Sequence, residues 1–194
     1  MKRLLTIFLA LGAAAQEAPR HEIGLTLGSL RGASPSGLEL GSGMALQANY
    51  GLRLWSNSAA AVYGEVHFLA NPQRVVTAAN SIATRDVASL YLTPGIRVKF
   101  APEARVSPYF AVGGGYALYE HSLLTIGGQP NPAPRTTNKG AFMFGGGVDA
   151  KLWRFIGVRG EIRDFYSGNP SYNLPVSGGQ HNVVIGGGFV LRFK

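Results

Sequence analysis

The stretch IGVRGEIRDFY, residues 156–166, decides the fold. Ile156, Val158, Gly160 and Ile162 occupy every second position, and Gly157, Arg159, Glu161 and Arg163 fill the places between. Side chains alternate faces along a strand, so one face of this strand is apolar and the other carries a row of charges of both signs. A soluble barrel would turn the apolar face inward. A membrane barrel gives that face to lipid and points the charges into its lumen.

The same period recurs outward from this stretch. Residues 42–55 set Met44, Leu46, Ala48, Tyr50, Leu52 and Leu54 against Ala45, Gln47, Asn49, Gly51 and Arg53. Residues 22–30, 59–70, 87–100, 108–119, 141–153 and 182–194 alternate in the same way, giving eight expected strands. Each is long enough for the roughly 9–11 residues that cross a bilayer at a tilt. The connections alternate long and short. Residues 31–40, 71–85, 121–139 and 167–180 read as loops, and 56–58, 101–107 and the neighbourhood of Arg154 as turns. Long loops at one rim and short turns at the other form the pattern of an outer-membrane barrel. Pro94 falls on an apolar face and cannot donate to a ladder, so a bulge or a lost bond is expected there.

Composition favours lipid. Charged residues make up 14% of the 194-residue chain, while 27 glycines and 46% hydrophobic residues are present. The polar faces carry mostly Gly, Ala, Ser, Asn and Tyr, which suit the narrow inside of a small barrel. On the apolar faces the exceptions are Glu120 and Asp164, both at expected rims. No cysteine is present, so disulfides and thiolate metal sites are excluded. The net charge of +8 is spread singly along the chain without a Lys/Arg-rich run, so no nucleic-acid partner is expected.

Lys2, Arg3, the apolar residues 4–11 and Ala13-Ala14-Ala15 have the form of a secretory signal. The domain division is therefore a signal peptide over residues 1–15 and a barrel domain over 16–194. Together with SPYFAVGGGY (107–116), VRGEIRDFY (158–166) and a last strand ending near Phe193, this pattern resembles the small eight-stranded OmpA/OmpX-type outer-membrane barrels of Gram-negative bacteria. The resemblance covers essentially the whole mature chain. It implies an all-β, up-and-down, antiparallel transmembrane barrel in the outer membrane, delivered there by the outer-membrane assembly machinery. That family usually ends on the aromatic itself, whereas Lys194 follows Phe193 here. With no segment beyond it, the peptidoglycan-binding domain of full OmpA-like proteins is expected to be absent.

Two groups of residues stand out. Glu65, Arg97, Asp149, Arg159, Glu161 and Arg163, with His67, should meet in the lumen, with Arg53, Lys99, Lys151 and Arg192 nearer the short-turn end. Buried charges must pair, and arginine can pair in bidentate fashion, so a structural plug is the first reading and an ion path the second. Phe100, Phe110 and Phe193 should form one interfacial belt at the short-turn side, and Phe68, Tyr116, Phe142 and Tyr166 another toward the loops.

His121 with Ser122 and Glu65 with His67 are the only pairings that suggest catalysis. Neither pair comes with a nucleophile, base and orienting group together, so no catalytic site is expected. The four dispersed histidines lack ligand spacing, and no metal or cofactor is expected. Gly-Gly-Gly recurs at 113–115, 145–147 and 186–188, inside strands and without a helix or lysine to follow. These runs read as room for bulky lumen side chains and for sheet curvature rather than as phosphate loops. The expected function is structural or surface-interactive, with outer-membrane lipid around the barrel and an unidentified extracellular partner at the long loops. A narrow pore is the alternative; a soluble ligand-binding barrel or a lipid-modifying enzyme ranks below both.

Intact-mass measurement on protein extracted from membranes should find the chain beginning near Gln16. Retention of Met1 would refute the signal assignment.

Overall fold

A computed structural model describes residues 20–33, 38–175 and 178–194; the expected signal segment lies outside these. The strands are β1 (His21–Ala33), β2 (Glu39–Leu40), β3 (Ser42–Ser56), β4 (Ala60–Thr77), β5 (Asp86–Phe100), β6 (Val106–His121), β7 (Thr136–Lys151), β8 (Ile156–Gly168) and β9 (Gly179–Phe193). Each long strand pairs antiparallel with the next, β4 pairs with β5, and β9 returns to β1. Eight strands thus close into an up-and-down barrel. The two-residue β2 is an addition inside the expected first loop, laid against the top of β4 through Glu39↔Thr77 and Leu40↔Val76. Closure leaves no edge among the eight, so the barrel strands satisfy their backbone donors and acceptors within the protein.

Parity decides which face is which. Along β8, Arg159, Glu161, Arg163 and Phe165 are buried while Ile162 and Tyr166 are exposed. The outer surface is a nearly continuous apolar sleeve: Leu25, Leu27, Phe189 and Ile185 are each more than half exposed. A soluble monomer does not present an apolar patch of that extent to water. The polar face is the inside, as the alternation indicated.

The glycine runs make room. A Cβ on Gly147 would lie 2.7 Å from the Tyr109 hydroxyl, and one on Gly51 would lie 2.6 Å from Arg97 Nη2. Pro94 is accommodated without a shift. On the β6 side the ladder skips Thr93 and Pro94, then resumes at Gly95↔Gly113 in the same register. The register slips instead between Asn71 and Arg74 on β4, around Pro72, and between Arg53 and Trp55 on β3.

The strands run farther than the polar sequence suggested. Residues 71–77, expected as loop, continue β4; β6 reaches His121; β7 starts at Thr136 and β9 at Gly179. The loops at that rim are correspondingly shorter. The ladders persist because backbone pairing continues between loop ends, as in Val76 N–H to Arg85 O at 2.8 Å and His121 N–H to Arg135 O at 2.8 Å. Such bonds do not depend on apolar side chains, which is why alternation stopped before the strands did.

Ile162 tests the placement of lipid. It is 52% exposed and pairs across the ladders with Gly146 and Ile185. Ile162→Arg should lower stability in lipid by about 2–4 kcal/mol, read by urea titration of the heat-shifting band. Ile162→Ala should cost far less, and equal costs would mean that lipid does not cover this face.

Candidate functional site

The lumen is the site at which the sequence concentrates its charge. Glu22, Glu65, Asp149 and Glu161 face Arg97, Lys99, Arg159, Arg163 and Arg192, all buried. Toward the short-turn rim, Asp149 is the hub. Arg159 grips it with both Nε (2.7 Å) and Nη2 (3.0 Å), Lys99 Nζ approaches at 2.7 Å and Arg192 Nη2 at 3.3 Å. Lys99 also bridges to Glu22, and Arg159 Nη1 donates to Asn49 Oδ1 at 2.9 Å.

One layer up, Arg163 joins two acids: Nη1 to Glu65 Oε1 at 2.8 Å and Nε to Glu161 Oε2 at 2.9 Å. Glu161 is filled by further donors, Tyr109 OH at 2.6 Å, Thr26 Oγ1 at 2.9 Å and Gln47 Nε2 at 3.2 Å. Arg97 sits between the layers, 2.6 Å from Glu65 and 2.8 Å from Glu22. None of its N–H groups is aimed well enough at an oxygen to make a hydrogen bond, so it contributes charge more than direction. Its guanidinium lies over Tyr63, 4.6 Å from the ring centroid, and Arg159 lies over Tyr109 at 4.7 Å.

The loop-side half is built differently. Leu30, Leu38, Leu40, Leu69, Val76 and Val87 pack there with Tyr91, Tyr119, Phe165 and Tyr172. The tyrosines form a relay of hydrogen bonds. Tyr91 OH meets Tyr119 OH at 2.7 Å, Gln180 Nε2 donates to Tyr119 OH at 2.6 Å, and Tyr172 OH donates to Gln180 Oε1 at 2.6 Å. Arg74 is buried in this half, bonded to Asn182 Oδ1 at 2.7 Å. Its place, in a segment expected to be loop, corrects that reading.

Above this half the loops lock together. Thr84 N–H donates to Tyr172 O at 3.0 Å, Asn173 Nδ2 to Ile82 O at 2.7 Å, and Gly127 N–H to Ser81 O at 2.8 Å. Ser171, Tyr172 and Asn173 all have φ between 45° and 67°, a left-handed run that costs about 1–2 kcal/mol per non-glycine residue. The buried Tyr172 side chain and its bonds hold that turn; burial also raises the phenol pKa.

All six charged residues singled out in the sequence lie in the ionic half. Lys99 and Arg192, expected in the lumen nearer the short turns, join them there, as does Glu22, which the sequence reading did not single out. Glu22 was legible by parity, since it shares a face with Gly24 and Thr26, but it stands at the first residues of its strand, where alternation is weakest. Of the two pairs suggestive of catalysis, His121 and Ser122 turn to different partners, whereas Glu65 and His67 stay adjacent. His121 Nδ1 faces Thr84 Oγ1 at 3.3 Å while Ser122 Oγ donates to Leu124 O at 2.7 Å. His67 Nδ1 lies 3.9 Å from Glu65, and its other nitrogen meets Gln47 at 3.2 Å. Among the described residues no three His, Cys, Asp or Glu side chains gather as a metal site.

The seven aromatics singled out for the belts are all exposed on the outer face. Phe100, Phe110 and Phe193 lie toward the short turns; Tyr116, Phe142 and Tyr166 lie toward the loops. Phe68 falls at the middle of β4, because that strand runs on to Thr77. Trp55 and Trp153, which close the expected strands 42–55 and 141–153, and Phe155 add to the short-turn side. The two outward acids are paired, Asp164 with His181 at 2.6 Å and Glu120 with Arg135.

A closed eight-stranded barrel with a charged, filled interior and an apolar sleeve defines a transmembrane β-barrel. The chain belongs to the family described as outer membrane protein beta-barrel domain, whose sequence profile matches residues 3–193, and it is a protein of the bacterial outer membrane. In fold it is similar to Neisserial surface protein A, at 12% identity over 89% of this chain and 97% of that one, with a TM-score of 0.58. It is similar also to OprG of Pseudomonas aeruginosa, at 14% identity over 91% and 96% of the two chains, TM-score 0.51. The outer membrane enzyme PagL matches at 14% identity over 89% and 99%, with a TM-score of 0.49. No curated protein matches the sequence. At these identities the likeness to solved structures is one of fold.

Removing Arg97 takes away a cation shared by Glu65 and Glu22, which keep only Arg163 and Lys99 as their nearest partners. Arg97→Met should therefore cost about 3–5 kcal/mol in a urea titration. Adding Glu65→Gln should recover part of the loss, because the buried acids then carry one negative charge fewer while the amide oxygen can still accept from Arg163. Additive losses would show that the two side chains do not act as a pair.

Proposed function

We propose that this barrel works as a non-conducting, non-enzymatic scaffold that displays its loop cap at the cell surface for an extracellular partner. The observation that carries the reading is the filled lumen. An ionic layer anchored on Asp149 and Glu161 is continued by a tyrosine and aliphatic layer up to Tyr172, under loops bonded to one another. Eight strands enclose little more than their own side chains, so such a filling leaves no water column.

The cap supplies a surface suited to recognition. Ser81, Ile82, Thr125, Gln129, Pro130 and Asn173 line a cleft of about 370 Å³ formed by three loops. Ile82 of this lining and Leu123, two residues before Thr125, are 54% and 72% accessible. Backbone groups, amides and isolated apolar side chains held by loop-to-loop bonds line an uncharged cleft, which favours a protein partner over a charged solute. The non-enzymatic reading is supported by the separate partners of Ser122, whose hydroxyl donates to Leu124 O, and of His67, which meets Gln47. Outer-membrane lipid and the assembly machinery complete the proposed partners, and the mature chain is proposed to begin after Ala15.

In planar bilayers the refolded protein should give no sustained conductance steps. Regular, salt-proportional steps would favour the narrow-pore alternative.

A further inference from the structure

The two rims differ in charge. At the loop rim four cations (Arg31, Arg85, Arg135, Lys139) face four acids (Glu39, Asp86, Glu120, Asp164), and Arg85–Asp86 and Arg135–Glu120 are ion pairs. At the short-turn rim six cations, Arg20, Arg53, Arg105, Lys151, Arg154 and Lys194, stand against Glu103 as the one acidic side chain among the described residues there. Of these, Arg20, Arg105, Lys151 and Arg154 make no ion pair with any described residue, and Lys151 only reaches Glu103 O at 3.4 Å.

The basic residues form a collar. Backbone bonds join Arg53 to Arg20 at 2.8 Å and Lys151 to Arg105 at 2.8 Å around the rim. Aromatic residues alternate with them in sequence. Trp153 and Phe155 flank Arg154 and are 66% and 58% exposed, and Trp55, 53% exposed, follows Arg53. Both tryptophans of the chain therefore lie on this rim.

We propose that the short-turn collar binds the phosphate groups of anionic phospholipids in the adjoining leaflet. The chemistry is that of an interfacial belt: indole and phenyl rings seat at the boundary of the acyl region, and long cationic side chains reach to the headgroup phosphates just beyond. An acidic soluble macromolecule is a poorer match, because Trp153 and Phe155 share one tight turn with Arg154 and need an apolar medium at the same depth. The loop rim, with its charges balanced, offers no equivalent attraction. This inference rests on the membrane placement of the barrel and is independent of whether the lumen conducts.

The test uses the full mature chain folded in a neutral detergent. Short-chain phosphatidylglycerol or phosphatidylcholine is titrated in, and the fluorescence of Trp55 and Trp153 reports binding at this rim. Affinity for phosphatidylglycerol should exceed that for phosphatidylcholine by about tenfold or more at low salt and collapse toward it in molar salt, as exposed charges are screened. Arg105→Gln/Lys151→Gln/Arg154→Gln should lose the preference, while Arg31→Gln/Arg85→Gln/Lys139→Gln at the other rim should keep it. Retention of the heat-shifting band in both triple variants shows that the barrel, and with it the placement in the membrane, still stands. Equal affinity of the unaltered protein for the two lipids would overturn the inference without any variant, as would an equal loss in the loop-rim triple.

Discussion

Backbone pairing in a medium without water is the constraint on which everything else here depends. A strand in lipid cannot leave N–H and C=O groups unpaired, so the sheet must close, and it does so through thirteen paired positions between β1 and β9. Closure at eight strands then sets the interior. The inward face of every strand points into a space barely wider than the side chains it holds. Residues there must be small, or must interlock with small ones opposite, as Tyr109 does with Gly147 and Arg97 with Gly51.

Closure also explains why the interior is charged on one side and tyrosine-rich on the other. Desolvating an ion is costly, and the cost is offset only when acids and bases meet with their hydrogen-bonding capacity filled. Asp149 and Glu161 meet that condition by accepting from several donors each. Near the loops the barrel is covered by Leu38, Leu40 and Tyr172, and neutral hydroxyl relays among aliphatic side chains take over. The two halves fill the lumen by different physics. Both pack the space between the strands that carry the loops.

The loops are held by backbone more than by side-chain chemistry. The left-handed turn at Ser171, Tyr172 and Asn173 persists because Tyr172 is anchored from below and its carbonyl is engaged by Thr84. For the proposed display role, loop-to-loop bonds of this kind reduce the ordering cost of binding. At the opposite rim the turns are short, aromatic and basic, and face the boundary between lipid and water.

What the sequence determined by itself was the set of alternating strands and the faces they present. Alternation of Met44 with Ala45, or of Ile162 with Arg163, is local information that survives any arrangement of the strands. It sufficed for the barrel class and for the inward direction of Glu65, Arg97, Asp149, Arg159, Glu161 and Arg163. Pairing within the lumen was not local. Glu22 meets Lys99 and Arg97 only because β1 and β5 lie across a closed ring, and Arg74 is buried only because β4 continues past a bulge beneath Leu40. Strand ends were likewise hidden, since their ladders are held by backbone bonds that polar sequence does not advertise. Charge at the rims was hidden for the same reason: residues scattered singly along the chain become a collar only when antiparallel closure gathers every short turn at one end.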